Sequence, residues 1–504
     1  MLRIWLATAL LLLGVAGPAG ADDIAATARG VVRVVTIAVV DGQVVGFGHG
    51  SGFAVAPNRI VTNAHVVELA QRYADDVVVG VVPSEGAKSY QGHVIAYDAQ
   101  RDLALIEFAG ASLPAAALYT GLASEGDAVV ALGYPGNVDL ATARSAADYI
   151  TPVAPIRSQG AFSGRRSLSG IDVLLHTAPI ARGNSGGPLL DRCGRVLGIN
   201  SAITHGEEGD SSFGFAIADS ELAAFLRAAH QPYTAAGMPC TSIEDRLRAD
   251  SDADARAAAD AAQARRQAAT DAQMRREEAL ATARSEAERS RENVMALAAL
   301  LLVGGALALG GAGLLLSQGR KVPAIWAAAG GAGAVIASVL VFVFRPSPDV
   351  SLPAAGLAAT SPVVTDAGLG KLACTLLPER SRVVVSSSAG VALDWGKGGC
   401  VNGRTQYVAA SNRWERVLVP DHEQTVSVLG FDPATRTYAV TRYFLPGDAM
   451  AAVRKLRGDV PKACTTDPAA VAALAERASA IRAQLPPLPN EKLVYTCAAA
   501  SGGG

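Results

Sequence analysis

Residues 181–189 read Ala181-Arg182-Gly183-Asn184-Ser185-Gly186-Gly187-Pro188-Leu189. A serine set among glycines can stand on a sharp turn with its hydroxyl exposed, but alone the stretch reads equally as a polar turn. Two upstream segments change its weight. One is Gly50-Ser51-Gly52-Phe53 followed by Ile60-Val61-Thr62-Asn63-Ala64-His65-Val66-Val67; the other is Asp98-Ala99-Gln100-Arg101-Asp102-Leu103-Ala104-Leu105-Ile106. A serine hydroxyl is a weak nucleophile until a neighbouring imidazole takes its proton. A carboxylate behind the imidazole fixes its tautomer and stabilises the imidazolium. The set therefore reads as Ser185 the nucleophile, His65 the general base and acid, and Asp102 the orienting group. Gly183 can bring its N–H beside that of Ser185, and the two donors would form an oxyanion hole. A Cβ at 183 would resist the backbone such a turn needs. Gly186 and Gly187 leave room for backbone packed behind the nucleophile.

Outward from these motifs, residues 29 to about 230 alternate short Val/Ile-rich runs with glycine-containing turns. Val31–Val40, Gly52–Ala56, Arg59–Thr62, Val77–Val82, Val94–Tyr97, Leu103–Phe108, Ala128–Leu132, Val173–Thr177 and Arg195–Asn200 are the expected strands. Many short strands at this spacing predict an all-β barrel or sandwich. Ser220–Ala229 reads as a closing helix.

The three motifs, with Gly133-Tyr134-Pro135-Gly136 and Phe213-Gly214-Phe215-Ala216-Ile217, resemble the HtrA/Deg branch of trypsin-like serine proteases. The resemblance covers roughly residues 30 to 230. It implies a chymotrypsin-like fold of two six-stranded β-barrels with the site in the cleft between them, and no cofactor. It also implies that Pro179, Ile180, Ser201, Ala202, Ile203, Gly214 and Phe215 line the primary substrate pocket. None of these is acidic, and an Arg or Lys side chain would be buried there without a counter-charge. Small or medium aliphatic side chains are therefore expected before the scissile bond. The chain departs from that family beyond the protease domain, where no PDZ domain is recognisable. The family's trimer is not carried over.

Residues 241–293 are rich in Ala, Arg, Asp and Glu, and between 244 and 292 there is neither Gly nor Pro. That composition favours helix. Large apolar residues are too sparse for a regular heptad seam, so a solvated helix and a weak Ala-rich coiled coil both remain open. As a helix it would form a stalk of about 70 Å. Val294–Ser317 and Val322–Phe344 carry no charge, and each is long enough to span a membrane. Their Gly and Ala content suits close helix packing. Residues 318–321 join them, and Arg320 and Lys321 put this turn in the cytoplasm. The N-terminus, with Arg3, the apolar run Ile4–Val15 and Ala19-Gly20-Ala21, reads as a signal peptide over 1–21. The mature protease domain is then 22–240. Both it and the last region would lie on the outer, periplasmic side of a bacterial inner membrane.

Residues 345–370 read as a Pro/Ala/Ser/Gly linker, and 371–504 as a small α+β domain. Its expected strands are Arg382–Ser386, Gln406–Ala410, Thr425–Leu429 and Tyr438–Phe444, and its expected helix Ala469–Gln484. All six cysteines fall in regions assigned outside the cytoplasm, where disulfides persist. Cys193 and Cys240 are expected to pair. Cys374, Cys400, Cys464 and Cys497 allow three pairings, among which sequence does not choose. No C-x-x-C pair or ligand-spaced histidine points to a metal. Trp395, Tyr407, Trp414, Tyr438 and Tyr443 are expected to fill this domain's core, with a ligand surface as the alternative.

The 44 Lys+Arg and 46 Asp+Glu give a formal net charge of −2, so nothing in the charge balance favours nucleic acid. Mean hydropathy is +0.26, in keeping with membrane segments. The expectation is a membrane-tethered serine endopeptidase acting on unfolded or exposed envelope proteins, with protein or peptide substrates. Association between copies through stalk or hairpin is left open. The alternatives are a latent or non-catalytic scaffold whose stalk and last domain bind partners, and an esterase with the same triad. His49, His93, His176 and His205 are read as structural or surface residues.

Overall fold

The computed structural model describes residues 22–204, 212–344, 369–410, 412–459, 464–465 and 467–500. The expectations for the signal peptide, for most of the 345–370 linker and for His205 lie outside these residues. The chain divides into two units, Met1–Asp250 with Pro362–Gly504, and Ser251–Ser361.

The first unit opens with a short helix α1 (Asp23–Ala28), capped by the Asp22 carboxylate, which accepts from the Ala25 N–H. Strands β1 (Val31–Val40), β2 (Gln43–Ala56), β3 (Arg59–Thr62), β4 (Val77–Pro83), β5 (Tyr90–Asp98) and β6 (Leu103–Phe108) close a barrel in the order β1-β2-β3-β6-β5-β4. Helix α2 (Ala64–Arg72) follows β3. The two-residue period of each strand sends alternate side chains inward: Val32, Val34, Ile60, Val79, Val81 and Ile106 fill this barrel. Strand β2 begins well before Gly52, because Gly46, Gly48 and Gly50 hide the alternation in its first half.

The next strands are β7 (Leu118–Tyr119), β8 (Ala128–Gly133), β9 (Ile156–Leu168), β10 (Ile171–His176), β11 (Pro188–Leu190), β12 (Val196–Ile203), β13 (Gly214–Ala218) and β14 (Ala235–Ala236). Six run in the order β11-β8-β9-β10-β13-β12, and pairing of β11 with β12 closes the second barrel. Helices α3 (Gly136–Thr142) and α4 (Asp219–Ala228) follow β8 and β13. Phe53 and Leu105 of the first barrel share a core with Leu118, Leu132, Ile199 and Leu222 of the second region. This is the double barrel that the family resemblance implies.

Helix α5 (Ile243–Ser317) is unbroken, so the charged segment and the first apolar stretch form one helix. Helix α6 (Lys321–Val343) follows after a turn containing Gly319 at φ 78°. Both are long and apolar enough to cross a membrane. Gly305 and Gly331 face each other: a Cβ on either would lie within 2.9 Å of the other's carbonyl oxygen. Ser338 Oγ donates to the Ala298 carbonyl at 2.7 Å. Small residues thus let the hairpin pack on itself.

The C-terminal region of the first unit holds β15 (Gly370–Leu376), β16 (Val391–Trp395), β17 (Cys400–Val401), β18 (Thr405–Gln406), β19 (Val408–Ala410), β20 (Arg413–Leu418), β21 (Thr425–Asp432), β22 (Thr437–Phe444) and β23 (Glu491–Ala499), with helices α7 (Gly447–Arg457) and α8 (Pro468–Arg482). The sheet order is β18-β17-β16-β15-β23-β22-β21-β20-β19. Its two edges, β18 and β19, are separated in sequence by Tyr407 alone, so the sheet curls back on itself. Trp395, Tyr407, Trp414 and Tyr438 lie in its core, while Tyr443 is partly buried against a second cluster under the helices. Cys374 opposes Cys497 across β15 and β23 and is bonded to it; Cys400 is bonded to Cys464, and Cys193 to Cys240.

One expected strand is absent. Residues 382–386 form only an isolated bridge, Arg382 with Lys492, and otherwise wrap around a carboxylate. The buried Glu491 Oε1 accepts the backbone N–H groups of Val384, Val385 and Ser386 at 2.6, 2.5 and 2.9 Å. These donors are taken by a side chain in place of a neighbouring strand.

This region shares its interior with the protease region. Arg382 Nη2 meets Asp23 Oδ2 at 2.5 Å and lies 3.2 Å from Cys193 Sγ, and its Nε donates to the Thr241 carbonyl at 2.6 Å. Asn490 Nδ2 donates to Asp23 Oδ1 at 2.7 Å. Asp23, Arg382 and Asn490 are all buried.

Candidate active site

His65 is the second residue of α2, where first-turn N–H groups have no helical acceptor. Its own N–H donates to Asp102 Oδ1 at 3.0 Å. Its Nδ1 lies 2.9 Å from both Asp102 oxygens; a carboxylate accepts, so Nδ1 carries the hydrogen and Nε2 is left with a lone pair. Asp102 ends the β5–β6 turn at φ 53°, a left-handed conformation that aspartate tolerates better than most residues. Asn63 Nδ2 donates to the Asp102 carbonyl at 2.9 Å, and Ser201 Oγ donates to Asp102 Oδ2 at 2.8 Å. The hydrogen bond to Asp102 raises the His65 pKa above its ordinary value of 6.5, against the opposing effect of burial. Two other aspartates, Asp98 and Asp139, are otherwise engaged. Asp98 pairs with Arg101, and Asp139 is buried against Arg33.

Ser185 stands on the turn between β10 and β11. Its Oγ donates to the Ser201 carbonyl at 3.0 Å. The glycines around it are sterically required. Gly183 has φ 96°, and a Cβ there would collide with the Tyr134 carbonyl and lie 2.9 Å from His49 Nε2. Gly186 has φ 89°, and a Cβ there would collide with the Ser51 carbonyl. Neighbouring strands fix the turn. The Gly136 N–H donates to the Arg182 carbonyl at 2.7 Å, and Ser51 Oγ donates to the Gly183 carbonyl at 2.6 Å. In a trans peptide the C=O and the following N–H point in opposite directions. The bond from Gly136 therefore turns the Arg182 carbonyl one way and the Gly183 N–H the other.

A cleft of about 520 Å³ is lined by His65, Ser185 and Gly183 together with Ile180, Ser201, Ala202 and Ile203. Three other residues expected in the pocket do not line this cleft. Pro179 is exposed and is not among the residues lining the cleft. Gly214 packs flat on the buried His176 ring, and Phe215 lines a smaller cavity behind Asp102. Antiparallel pairing of β12 with β13 sets Ala202 opposite Phe215 and Ile203 opposite Gly214, and Ser201 and Ala202 line the cavity that Phe215 enters as well as the cleft.

A residue that the motifs do not single out, His49, lines the same cleft. Its Nε2 donates to the Tyr134 carbonyl at 3.3 Å and lies 3.2 Å from Asp139 Oδ2. Burial holds its pKa below the ordinary value, ahead of the opposing influence of Asp139. The available signal is its place just before Gly50-Ser51-Gly52. His176 is fully buried, and burial lowers its pKa to about 4. Among the described residues no cluster of His, Cys, Asp and Glu is arranged to hold a metal.

Residues 50–199 match the trypsin-like peptidase domain family. Serine protease Rv3671c of Mycobacterium tuberculosis (strain ATCC 25618 / H37Rv) is 30% identical over 210 residues, which are 40% of this chain and 47% of that protein. The probable periplasmic serine endoprotease DegP-like of Chlamydia pneumoniae is 34% identical over 175 residues, 33% of this chain and 31% of that protein. The crystal structure of the active form of the Rv3671c protease from M. tuberculosis is 26% identical, covers 44% of this chain and 88% of its own, and gives a TM-score of 0.33. The chain spans less than half the length of these two curated relatives. Over its N-terminal region it resembles HtrA/DegP-like serine proteases, and it carries a trypsin-like peptidase domain.

Proposed function

We propose that this chain is a membrane-tethered serine endopeptidase, with His65, Asp102 and Ser185 as its catalytic residues and the N–H groups of Gly183 and Ser185 as its oxyanion hole. The observation that carries the reading is the His65–Asp102 pair, which fixes the imidazole with its Nε2 lone pair free at a cleft that also holds Ser185. Ser185 Oγ would attack the substrate carbonyl carbon while His65 Nε2 takes its proton. The developing oxyanion would be met by the two N–H groups. Collapse would expel the amine, which takes the proton back from His65, and leave an acyl-enzyme for water to hydrolyse by the same steps in turn. Ile180, Ala202 and Ile203 support a preference for small or medium aliphatic side chains before the scissile bond.

The two apolar helices support attachment to a membrane. With the signal sequence and Arg320-Lys321, they support a periplasmic position for the protease and C-terminal regions. The substrates proposed are unfolded or exposed segments of envelope proteins. The test is casein degradation by the full-length protein in detergent beside Ser185→Ala. Cleavage lost only in the variant would sustain the proposal, whereas equal cleavage by both would assign the activity to something else.

One observation favours a second reading, a latent enzyme. Ser185 Oγ is bonded to the Ser201 carbonyl and must swing to His65 before it can attack. A latent enzyme would label slowly with a fluorophosphonate and leave casein intact until an activator is added.

A further inference from the structure

We propose that His49 is a positioning residue for the oxyanion turn, holding the backbone segment Tyr134-Pro135-Gly136 against which Arg182 and Gly183 are set. The inference rests on the catalytic reading above and adds to it a residue outside the triad. His49 comes from β2 and packs beside two glycines. A Cβ on Gly183 would lie 2.9 Å from its Nε2, and a Cβ on Gly136 would lie 3.5 Å from its Cε1 and 3.3 Å from the Arg182 carbonyl oxygen. The bare backbone at both positions is what lets the ring sit this close to the turn.

The 134–136 segment is tied to the turn at two points. The Gly136 N–H donates to the Arg182 carbonyl at 2.7 Å. Ser51 Oγ accepts the Tyr134 N–H at 2.9 Å and donates to the Gly183 carbonyl at 2.6 Å. Between these ties lies the Tyr134–Pro135 peptide. Proline has no N–H, so the Tyr134 carbonyl is the one hydrogen-bonding group on that peptide, and His49 Nε2 donates to it at 3.3 Å. The same carbonyl is the atom that a Cβ on Gly183 would strike first. A rotation of this peptide would therefore press on Gly183 and shift the Gly136 tie.

His49 is itself held. Its Nε2 lies 3.2 Å from Asp139 Oδ2, a buried oxygen with no other donor among the described residues. Both groups facing Nε2 are acceptors, so Nε2 carries the hydrogen. Asp139 Oδ1 is occupied by Arg33 at 2.8 Å. The Tyr149 and Phe47 rings lie 5.5 and 6.4 Å from the imidazole, centre to centre. A packed ring with a fixed tautomer is the kind of support a site needs, because a displacement of about 1 Å at the reacting groups can cost about a hundredfold in rate.

The test uses the full-length protein in detergent, a fluorogenic peptide with an aliphatic residue before the cleaved bond, and a matched pair of inhibitors. The peptide aldehyde adds to Ser185 Oγ, and its carbonyl oxygen becomes the oxygen held by the Gly183 and Ser185 N–H groups. The peptide alcohol occupies the same cleft without such an oxygen. His49→Ala should lower kcat about ten- to a hundredfold with KM little changed. It should weaken the aldehyde in proportion and leave the alcohol unaffected. His49→Gln, whose amide can donate from nearly the same place, should recover most of both losses; it also serves as the variant if Ala does not fold. A merely structural histidine would lower the melting temperature without separating aldehyde from alcohol. Unchanged kcat in His49→Ala, or equal weakening of both inhibitors, would overturn this inference while Ser185-dependent cleavage by the parent stood. Absence of that cleavage in the parent would overturn the catalytic reading, and this inference with it.

Discussion

Ser201 touches both ends of the proposed triad: its carbonyl accepts the Ser185 hydroxyl at 3.0 Å, and its own hydroxyl donates to Asp102 at 2.8 Å. Ser201→Ala would leave the carbonyl in place and remove the donor to Asp102. A hydrogen bond to a charged group contributes about 1.5–3 kcal/mol, and about 1.4 kcal/mol is a tenfold change in rate. kcat/KM on a peptide substrate should therefore fall about tenfold with the fold intact. An unchanged kcat/KM would show that the Asp102–His65 pair needs no help from β12.

The pH profile should report His65. The proposed mechanism needs its neutral form, and pairing with Asp102 raises its pKa above 6.5. The acid limb of kcat/KM should therefore lie above 6.5, and Asp102→Asn should move it down. The linked stability runs the other way. A raised pKa means that stabilisation from the imidazolium–carboxylate pair is complete below the unfolded value and is lost as pH rises through the folded one. A limb at or below 6.5 in the parent would count against the pairing.

Gly183→Ala tests the turn. A methyl group at φ 96°, crowded by Tyr134 and His49, must displace the peptide whose N–H faces the proposed oxyanion. Loss of one such donor lowers kcat about 10²–10³-fold. KM should change little, and a steady-state kinetic series separates the two.

Acid stability should depend on His176. Its folded pKa is about 4 against 6.5 for the free side chain. A lowered histidine pKa means that the unfolded chain binds the proton first, so stability falls as pH drops from 6.5 towards 4. The loss is on the order of 3 kcal/mol. Urea unfolding at several pH values should show it, and His176→Gln should flatten this part of the curve.

Arg382 and Asp23 should be inseparable. Burial outweighs Arg382 and pushes the Asp23 pKa upward, so the pair is not a strong net source of stability. Removing one member, however, leaves the other charge stranded, at a cost of about 3–5 kcal/mol. Arg382→Met should destabilise by that amount in thermal or urea unfolding, and Asp23→Asn in the same chain should recover most of it. Additive losses would mean that the two do not interact.

What is legible in the sequence is what neighbouring residues determine. Gly183 and Gly186 announce the turn around Ser185 because other residues resist their positive φ values, and Val31–Val40 shows its strand through a largely β-branched run broken only by Arg33 and Ala38. The Cys374–Cys497 and Cys400–Cys464 pairings are not legible, since the first depends on β15 meeting β23 from the far end of the domain. The same distance hides Glu491, which takes the N–H groups of 384–386 and turns an expected strand into a wrapped loop. Gly214 and Phe215 are expected beside Ser201, Ala202 and Ile203, and they do pair with those residues across β12 and β13, but Gly214 packs on the buried His176 ring and Phe215 enters a neighbouring cavity. For His49 the local signal is only its place just before Gly50-Ser51-Gly52.

Asp23 waits for partners made long after it: Arg382 follows 359 residues later and Asn490 467 residues later. Synthesis of the two apolar helices comes between. A polypeptide that ends early has no counterpart for Asp23 and no complete interior beside Cys193. The fold thus makes its N-terminal region depend on translation reaching the C-terminal strands.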